Sequence, residues 1–139
     1  MAATLGLTCS TGVLSVVEGG TRLQDALIQA RIAGSRVVVL PTEQPVAGSS
    51  EWMTSAGMRT MLQAIRRDFQ SWTVMLDMPP VLTGDDVIAV LPQIDCALLV
   101  AAAGKSQRAE IEEGARHLAS TDVVRLVLNK VPEDATRYY

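Results

Sequence analysis

Trp72-Thr73-Val74-Met75-Leu76-Asp77-Met78-Pro79-Pro80 is the stretch that decides the fold of this 139-residue chain. A short apolar run that stops at two prolines is typical of a buried strand in a parallel sheet. Asp77 stands at the carboxyl end of that run, which is where open α/β sheets bind their ligands. An aspartate in this position can equally be a turn residue, so the stretch alone leaves both interpretations open.

Outside this stretch, apolar runs alternate with amphipathic ones along the whole chain. Three further strands are predicted at 36–40, 96–101 and 123–128. Helices are predicted at 12–18, 22–31, 57–69, 83–91 and 106–118, with a helical turn at 49–54. This alternation predicts an α/β fold, a three-layer sandwich around a mostly parallel sheet of four core strands, and a single domain over residues 1–139.

Composition and charge narrow the class of protein. Apolar residues make up 48% of the chain and charged residues 19%, which is a globular composition. The net charge is −3 and no basic stripe is present, so nucleic acid is not an expected partner. No apolar run approaches the ~18 residues of a membrane span, and the amino terminus lacks the pattern of a secretion signal. We therefore predict a cytoplasmic protein with no direct membrane insertion.

The few residues that could ligate a metal or attack a substrate have no companions at a useful spacing. Cys9 and Cys96 have no cysteine or histidine neighbour at metal-ligand spacing, and His117 lies alone in a helical pattern. Gly104-Lys105-Ser106 follows a strand and precedes a helix, as a phosphate-binding loop does. That loop needs a glycine at the position of Leu99, so we interpret 104–106 as a strand-to-helix turn with Ser106 as the helix cap.

Five segments follow one another in an order found in one known family. They are 12–19, 50–55, 76–82, 127–132 and the terminal Tyr138-Tyr139. Residues 12–19 resemble a short helix after the family's second nucleotide motif, and residues 50–55 resemble a Pro-Ser-Glu-Leu-Leu-type turn. Residues 76–82 resemble the Walker B motif Asp-Ser-Pro-Pro-Val. Residues 127–132 resemble a Leu-Asn-Arg-Val segment, and Tyr138-Tyr139 resembles a tyrosine-rich tail. The chain is thus similar to the later part of the kinase domain of bacterial tyrosine kinases of capsule and exopolysaccharide biosynthesis, which are deviant-Walker P-loop ATPases.

This resemblance implies site residues and ligands. The family uses ATP and Mg²⁺; Asp77 would match the Walker B acid, which holds the metal directly or through water, and Asn129 would match the residue that contacts the base. Tyr138 and Tyr139 would be possible phospho-acceptors, and no catalytic residue is assigned. The family's phosphate-binding loop and second acidic motif lie upstream of the matched segments. We therefore expect an incomplete P-loop NTPase-like fold that, alone, neither binds ATP tightly nor transfers phosphate.

The resemblance also implies partners, and it leaves three functions open. A membrane polysaccharide co-polymerase or activator protein and a homo-oligomer are the expected partners, with the chain held at the inner membrane only through a partner. The chain could be a truncated or degenerate tyrosine autokinase, a non-catalytic regulatory or scaffold module of polysaccharide biosynthesis or export, or an α/β domain for another small ligand. In the family, the strand that carries the phosphate-binding loop lies beside the Walker B strand. The resemblance therefore implies a sheet with unpaired backbone groups, and the chain could close that gap itself or pair with another copy or another protein.

Overall fold

The computed structural model describes residue 6, residues 8–45 and residues 48–132. The elements, in chain order, are α1 (Val13–Val17), α2 (Leu23–Ala26), β1 (Ile28–Ile32), β2 (Ser35–Val39), α3 (Ser49–Thr54), α4 (Ala56–Asp68), α5 (Asp86–Val90), a 3₁₀ turn (Leu91–Gln93), β3 (Ala97–Ala102), α6 (Arg108–His117) and β4 (Val124–Asn129). The chain divides into two compact units, Met1–Val74 and Met75–Tyr139, which are described one at a time.

The sheet of the first unit is an antiparallel hairpin of β1 and β2. The two strands pair in register from Ile28 opposite Val39 to Ile32 opposite Ser35. Ala33 and Gly34 connect them, both with positive φ (48° and 82°), the backbone that a two-residue hairpin turn requires. The prediction of a helix over 22–31 is therefore wrong after α2. The turn places residues 28–31 opposite the β-branched strand β2, and this pairing overrides their helical spacing.

In the first unit, helix α4 buries apolar side chains and packs closely against α1. The hydroxyl of Ser55 caps α4 by accepting a hydrogen bond from the Met58 amide at 3.1 Å, while Met58 and Met61 are buried. At Gly57 the backbone of α4 lies against α1, since a Cβ there would fall 2.2 Å from the Val17 carbonyl oxygen. The helix predicted at 57–69 is confirmed, with a shift of one residue.

The sheet of the second unit is the parallel pair of β3 and β4. The strands pair from Ala97 opposite Val124 to Ala102 opposite Asn129, which confirms both predicted strands and their parallel direction. Helix α6 covers one face of this pair, where a Cβ on Gly114 would lie 3.5 Å from the side chain of Leu99 in β3. The core beneath it is small and aliphatic, and its buried members are Val87, Leu91 and Leu118.

The stretch at 72–77, predicted to form a core strand, belongs to no sheet among the described residues. Residues 73–80 are irregular in the structure, and the side chains from Trp72 to Leu76 are exposed, Met75 by 83%. A strand of a sheet needs a neighbour for its amides and carbonyls. In the described parts of the chain, strands pair only as β1 with β2 and β3 with β4. The prediction of four parallel core strands is therefore wrong for 36–40, which is antiparallel, and for 72–77, which has no strand partner.

Two helix boundaries also differ from the prediction. Helix α5 begins at Asp86 rather than near residue 83, and a 3₁₀ turn with a proline follows it. Helix α6 begins after Gln107, whose side chain and that of Glu110 form a reciprocal capping box, so Ser106 is not the cap. The α/β fold class is confirmed, with helices and a small parallel sheet. The extent of a single domain over 1–139 stays a prediction.

Candidate functional site

Asp77 is held out into solvent at the end of the extended stretch. Its neighbour Leu76 is exposed, and Met78 on the other side packs against the aliphatic core of the second unit. Asp77 itself is exposed, and in the described ranges its carboxylate forms no ion pair. The main chain is thus fixed at Met78, while the carboxylate of Asp77 remains available to an external ligand.

Asn129 ends β4 and is fixed by its own turn. Its side-chain oxygen accepts a hydrogen bond from the Lys130 amide at 2.7 Å, and its main-chain oxygen accepts one from the Ala103 amide at 2.8 Å. Lys130 has a φ of 59°, in the left-handed region that a lysine adopts only where the turn requires it. Because the side-chain oxygen is engaged, the NH₂ group of Asn129 remains as a donor to a ligand on this exposed edge.

The turn at 104–106 closes on itself and offers no cradle for a phosphate. The amides of Lys105 and Ser106 both donate to the Ala102 carbonyl, at 3.1 and 2.9 Å. The hydroxyl of Ser106 accepts from the Ala102 amide at 3.0 Å, and Gly104 has the positive φ of 69° that the turn needs. A phosphate-binding loop must point free amides at its ligand, and here they are already used. The prediction of a strand-to-helix turn is confirmed.

Two cavities of about 500 Å³ among the described residues include neither Asp77 nor Asn129. In the second unit, one is lined by Val81, Leu82, Thr83, Gly84, Asp85, Ile88, Glu113 and His117. The imidazole Nε2 of His117 lies 3.4 Å from the Glu113 carboxylate at its rim. In the first unit, the other is lined by Ser10, Leu14, Ser15, Glu18, Glu43, Gln44, Pro45 and Trp52. Neither of these two cavities brings the two predicted ligand residues together.

Glu43 is an ionised side chain whose structural role could not be predicted from the sequence. Its carboxylate accepts hydrogen bonds from the Leu14 amide at 3.0 Å, the Ser15 amide at 2.9 Å and the Ser15 hydroxyl at 2.6 Å. Partial burial raises the pKa of Glu43, but the hydrogen bonds from the Ser15 hydroxyl and from the backbone amides lower it by more. The net result is a pKa of about 2. The carboxylate therefore stays charged and fixes the loop after β2 to the start of α1.

Asp77 by itself offers Mg²⁺ only a weak site among the described residues. No group of three histidine, cysteine, aspartate or glutamate side chains is placed to hold a metal ion in the ranges that the structure describes. Mg²⁺ keeps most of its waters and relies on ligand phosphates for the rest of its shell, so the single carboxylate of Asp77 is a weak site. Both cysteines, Cys9 and Cys96, are free thiols. The predicted acceptors Tyr138 and Tyr139 lie outside the described residues.

Solved structures share this fold across nearly the whole chain. The chimerical protein CapA2B2 is 21% identical and superimposes with a TM-score of 0.73, covering 96% of this chain and 58% of that one. The BceF tyrosine kinase domain is 22% identical with a TM-score of 0.65, covering 87% of this chain and 49% of that one. The chain thus spans about half the length of the structures it matches. No family model matches it, and no curated protein matches it.

The predicted resemblance is therefore confirmed at the level of the fold. A tyrosine kinase domain stands among the matched structures. No helix among the described residues has the length and apolar character needed to cross a membrane.

Proposed function

We propose that this chain is a tyrosine-kinase-like α/β domain of the exopolysaccharide and capsule biosynthesis type that carries only part of a nucleotide site. Asp77 would bind Mg²⁺ through water, and Asn129 would donate its NH₂ group to the base. The phosphates of ATP would need a loop that these 139 residues do not supply. The observation that carries the proposal is the fold likeness over 96% of the chain, together with the exposure of both residues.

The chemistry of phosphoryl transfer explains why the proposal stops at partial binding. Such transfer depends on positioning and neutralising the phosphates with a lysine, backbone amides and metal ions. No Gly-x-x-x-x-Gly-Lys-Ser/Thr motif occurs in the sequence, and the one Gly-Lys-Ser turn has its amides engaged. Base recognition at Asn129 is therefore the stronger of the two contacts, and we assign no catalytic residue to the chain.

A second function, a non-catalytic regulatory or scaffold module of polysaccharide biosynthesis or export, is favoured by one specific observation. The parallel sheet of the second unit exposes large apolar side chains, including Leu98 and Val100, each 58% exposed. Apolar strand surface of this kind is typical of a protein that is completed by a partner. A cytoplasmic location, at the inner membrane only through a membrane polysaccharide co-polymerase or activator, belongs to both versions of the proposal.

The proposal is tested at Asn129, the only asparagine in the sequence. Selective ¹⁵N labelling of asparagine gives one side-chain amide signal, which NMR can follow during titration with AMP or ATP in the presence of Mg²⁺. We expect both nucleotides to shift this signal with similar millimolar affinity, because the base is contacted directly and the phosphates only weakly, through Mg²⁺ at Asp77. Ribose 5-phosphate, which lacks the base, should leave the signal unchanged.

The matched control is the variant Lys105→Ala, which removes the ammonium group of the Gly-Lys-Ser turn. This variant should bind AMP and ATP as the wild type does, because its turn offers no phosphate contact. An ATP affinity at least tenfold above that of AMP, lost in Lys105→Ala, would contradict the proposal by placing a phosphate site on 104–106. A signal that neither nucleotide moves at any concentration would remove Asn129 from the proposed base site.

A further inference from the structure

Two exposed apolar segments, the extended stretch 72–76 and the parallel pair of β3 and β4, each have backbone groups that face no neighbouring strand. Of the thirteen exposed large apolar side chains in the described residues, nine lie in these two places. They are Trp72, Val74, Met75 and Leu76 in the extended stretch, and Leu98, Val100, Leu126, Val127 and Leu128 in the parallel pair. The stretch resembles a strand without a sheet, while β4 is a strand with one open edge among the described residues.

From this complementarity we propose that two copies of the chain associate by reciprocal strand addition. Residues 73–77 of one copy would pair antiparallel with β4 of the other, and the second copy would return the same contact about a twofold axis. Adding an extended segment to an open sheet edge is a common mode of protein recognition. A second copy is the favoured occupant because every chain carries both the free segment and the free edge, as a self-complementary interface requires.

Charge selects the edge and the direction of pairing. Asp77 is the only charged residue of the segment 73–77, Arg125 is the only charged residue of β4, and β3 has none. Antiparallel pairing on β4 can place Asp77 opposite Arg125, whose guanidinium otherwise donates to the Val124 carbonyl at 3.0 Å. Opposite charges directly across two strands stabilise a sheet, so the β4 edge is favoured over the β3 edge.

The same register also matches the apolar side chains. With Asp77 opposite Arg125, the remaining pairs are Leu76 with Leu126, Met75 with Val127, Val74 with Leu128, and Thr73 with Asn129. Side chains that are directly opposite lie on the same face of a sheet, so each apolar residue meets an apolar one and the polar Thr73 meets a polar one. A slip of one residue would place the Asp77 carboxylate beside Leu126 or Val124, on the face opposite to that of Arg125.

The test uses two charge-reversal variants, Asp77→Arg and Arg125→Asp, measured by analytical ultracentrifugation without nucleotide. Wild type should form a dimer, and each variant alone should dimerise on the order of tenfold more weakly, because like charges then lie opposite each other. An equimolar mixture of the two variants should recover the wild-type affinity, since each mixed contact again joins an arginine to an aspartate. A wild-type chain that is monomeric at all concentrations, or a mixture no stronger than either variant, would overturn the proposal.

A disulfide test fixes the register and identifies the occupant. In a chain with Cys9→Ser and Cys96→Ser, the pair Met75→Cys and Val127→Cys should give a covalent dimer on oxidation, because opposite residues have Cβ atoms within disulfide reach. The matched pair Met75→Cys and Leu126→Cys, slipped by one residue, should not. A disulfide within one chain, or equal dimer yield from both pairs, would contradict the proposal. Because no nucleotide is present, either result leaves the proposed function to its own test.

Discussion

Glu43 and Asp77 are two carboxylates in two different settings, and the difference separates a structural acid from an available one. Glu43 receives three hydrogen bonds from the start of α1, and its pKa falls to about 2. Asp77 is exposed at the end of an extended stretch and has no ion pair in the described ranges. The first carboxylate is used by the fold, whereas the second remains for a ligand or for another chain.

The largest expected effect comes from disturbing the packing beside Glu43. A Cβ at Gly12 would lie 2.0 Å from the Pro41 carbonyl oxygen and 3.1 Å from the Glu43 carboxylate. Gly12→Ala should therefore lower the free energy of unfolding by about 3 kcal/mol, because the backbone on both sides must move. Urea unfolding measures this loss. Gly20→Ala is the control in the same unit, since its Cβ would meet its nearest atom at 3.5 Å, and a loss equal to that of Gly12→Ala would contradict the packing argument.

A smaller effect, dependent on pH, is expected when the charge of Glu43 is removed. At neutral pH, Glu43→Gln should cost about 1–2 kcal/mol of unfolding free energy, because a charged acceptor of amide hydrogen bonds is lost. The folded-state pKa of about 2 lies below the ordinary value of 4.5. The stabilisation is therefore present above about pH 4.5 and is lost as the pH falls toward 2. The gap between wild type and variant should close over that window.

The matched substitution at Asp77 sharpens the comparison between the two acids. Asp77→Asn removes an exposed carboxylate without an ion pair in the described ranges, so the free energy of unfolding should stay within about 0.5 kcal/mol of wild type. Urea unfolding at neutral pH measures this difference. A loss as large as that of Glu43→Gln would mean that Asp77 is also held by the fold.

Elements governed by their own neighbours in sequence could be predicted, and those governed by distant partners could not. Strands β3 and β4 and helix α4 lie within one residue of their predicted positions, because each has a clear apolar period. The hairpin was missed because Leu23, Ala26, Leu27 and Ala30 match a helix face. The signal that would have found the hairpin is the Ala33-Gly34 pair between two β-prone runs, a two-residue turn.

The candidate site shows the same limit. Asp77 was found from the proline-terminated apolar run, but the strand predicted there needs a neighbouring strand that the run itself cannot reveal. Glu43 was missed because its partners Leu14 and Ser15 lie 29 and 28 residues earlier in the chain, and nothing around 41–45 signals a structural carboxylate. Asn129 was located through a resemblance between short segments, and the turn that orients its side chain becomes visible only with the positive φ of Lys130.

Titration calorimetry with Mg²⁺-ATP tests most directly the central claim that this chain has a partial nucleotide site without phosphate contacts. We expect no saturable binding at micromolar concentrations for wild type, and a still weaker heat for Asp77→Ala. The expected change in melting temperature is correspondingly small, because stabilisation by a ligand grows with its concentration relative to its dissociation constant. Micromolar ATP affinity that Asp77→Ala abolishes would contradict the claim, since the chain would then hold the phosphates and the metal by itself.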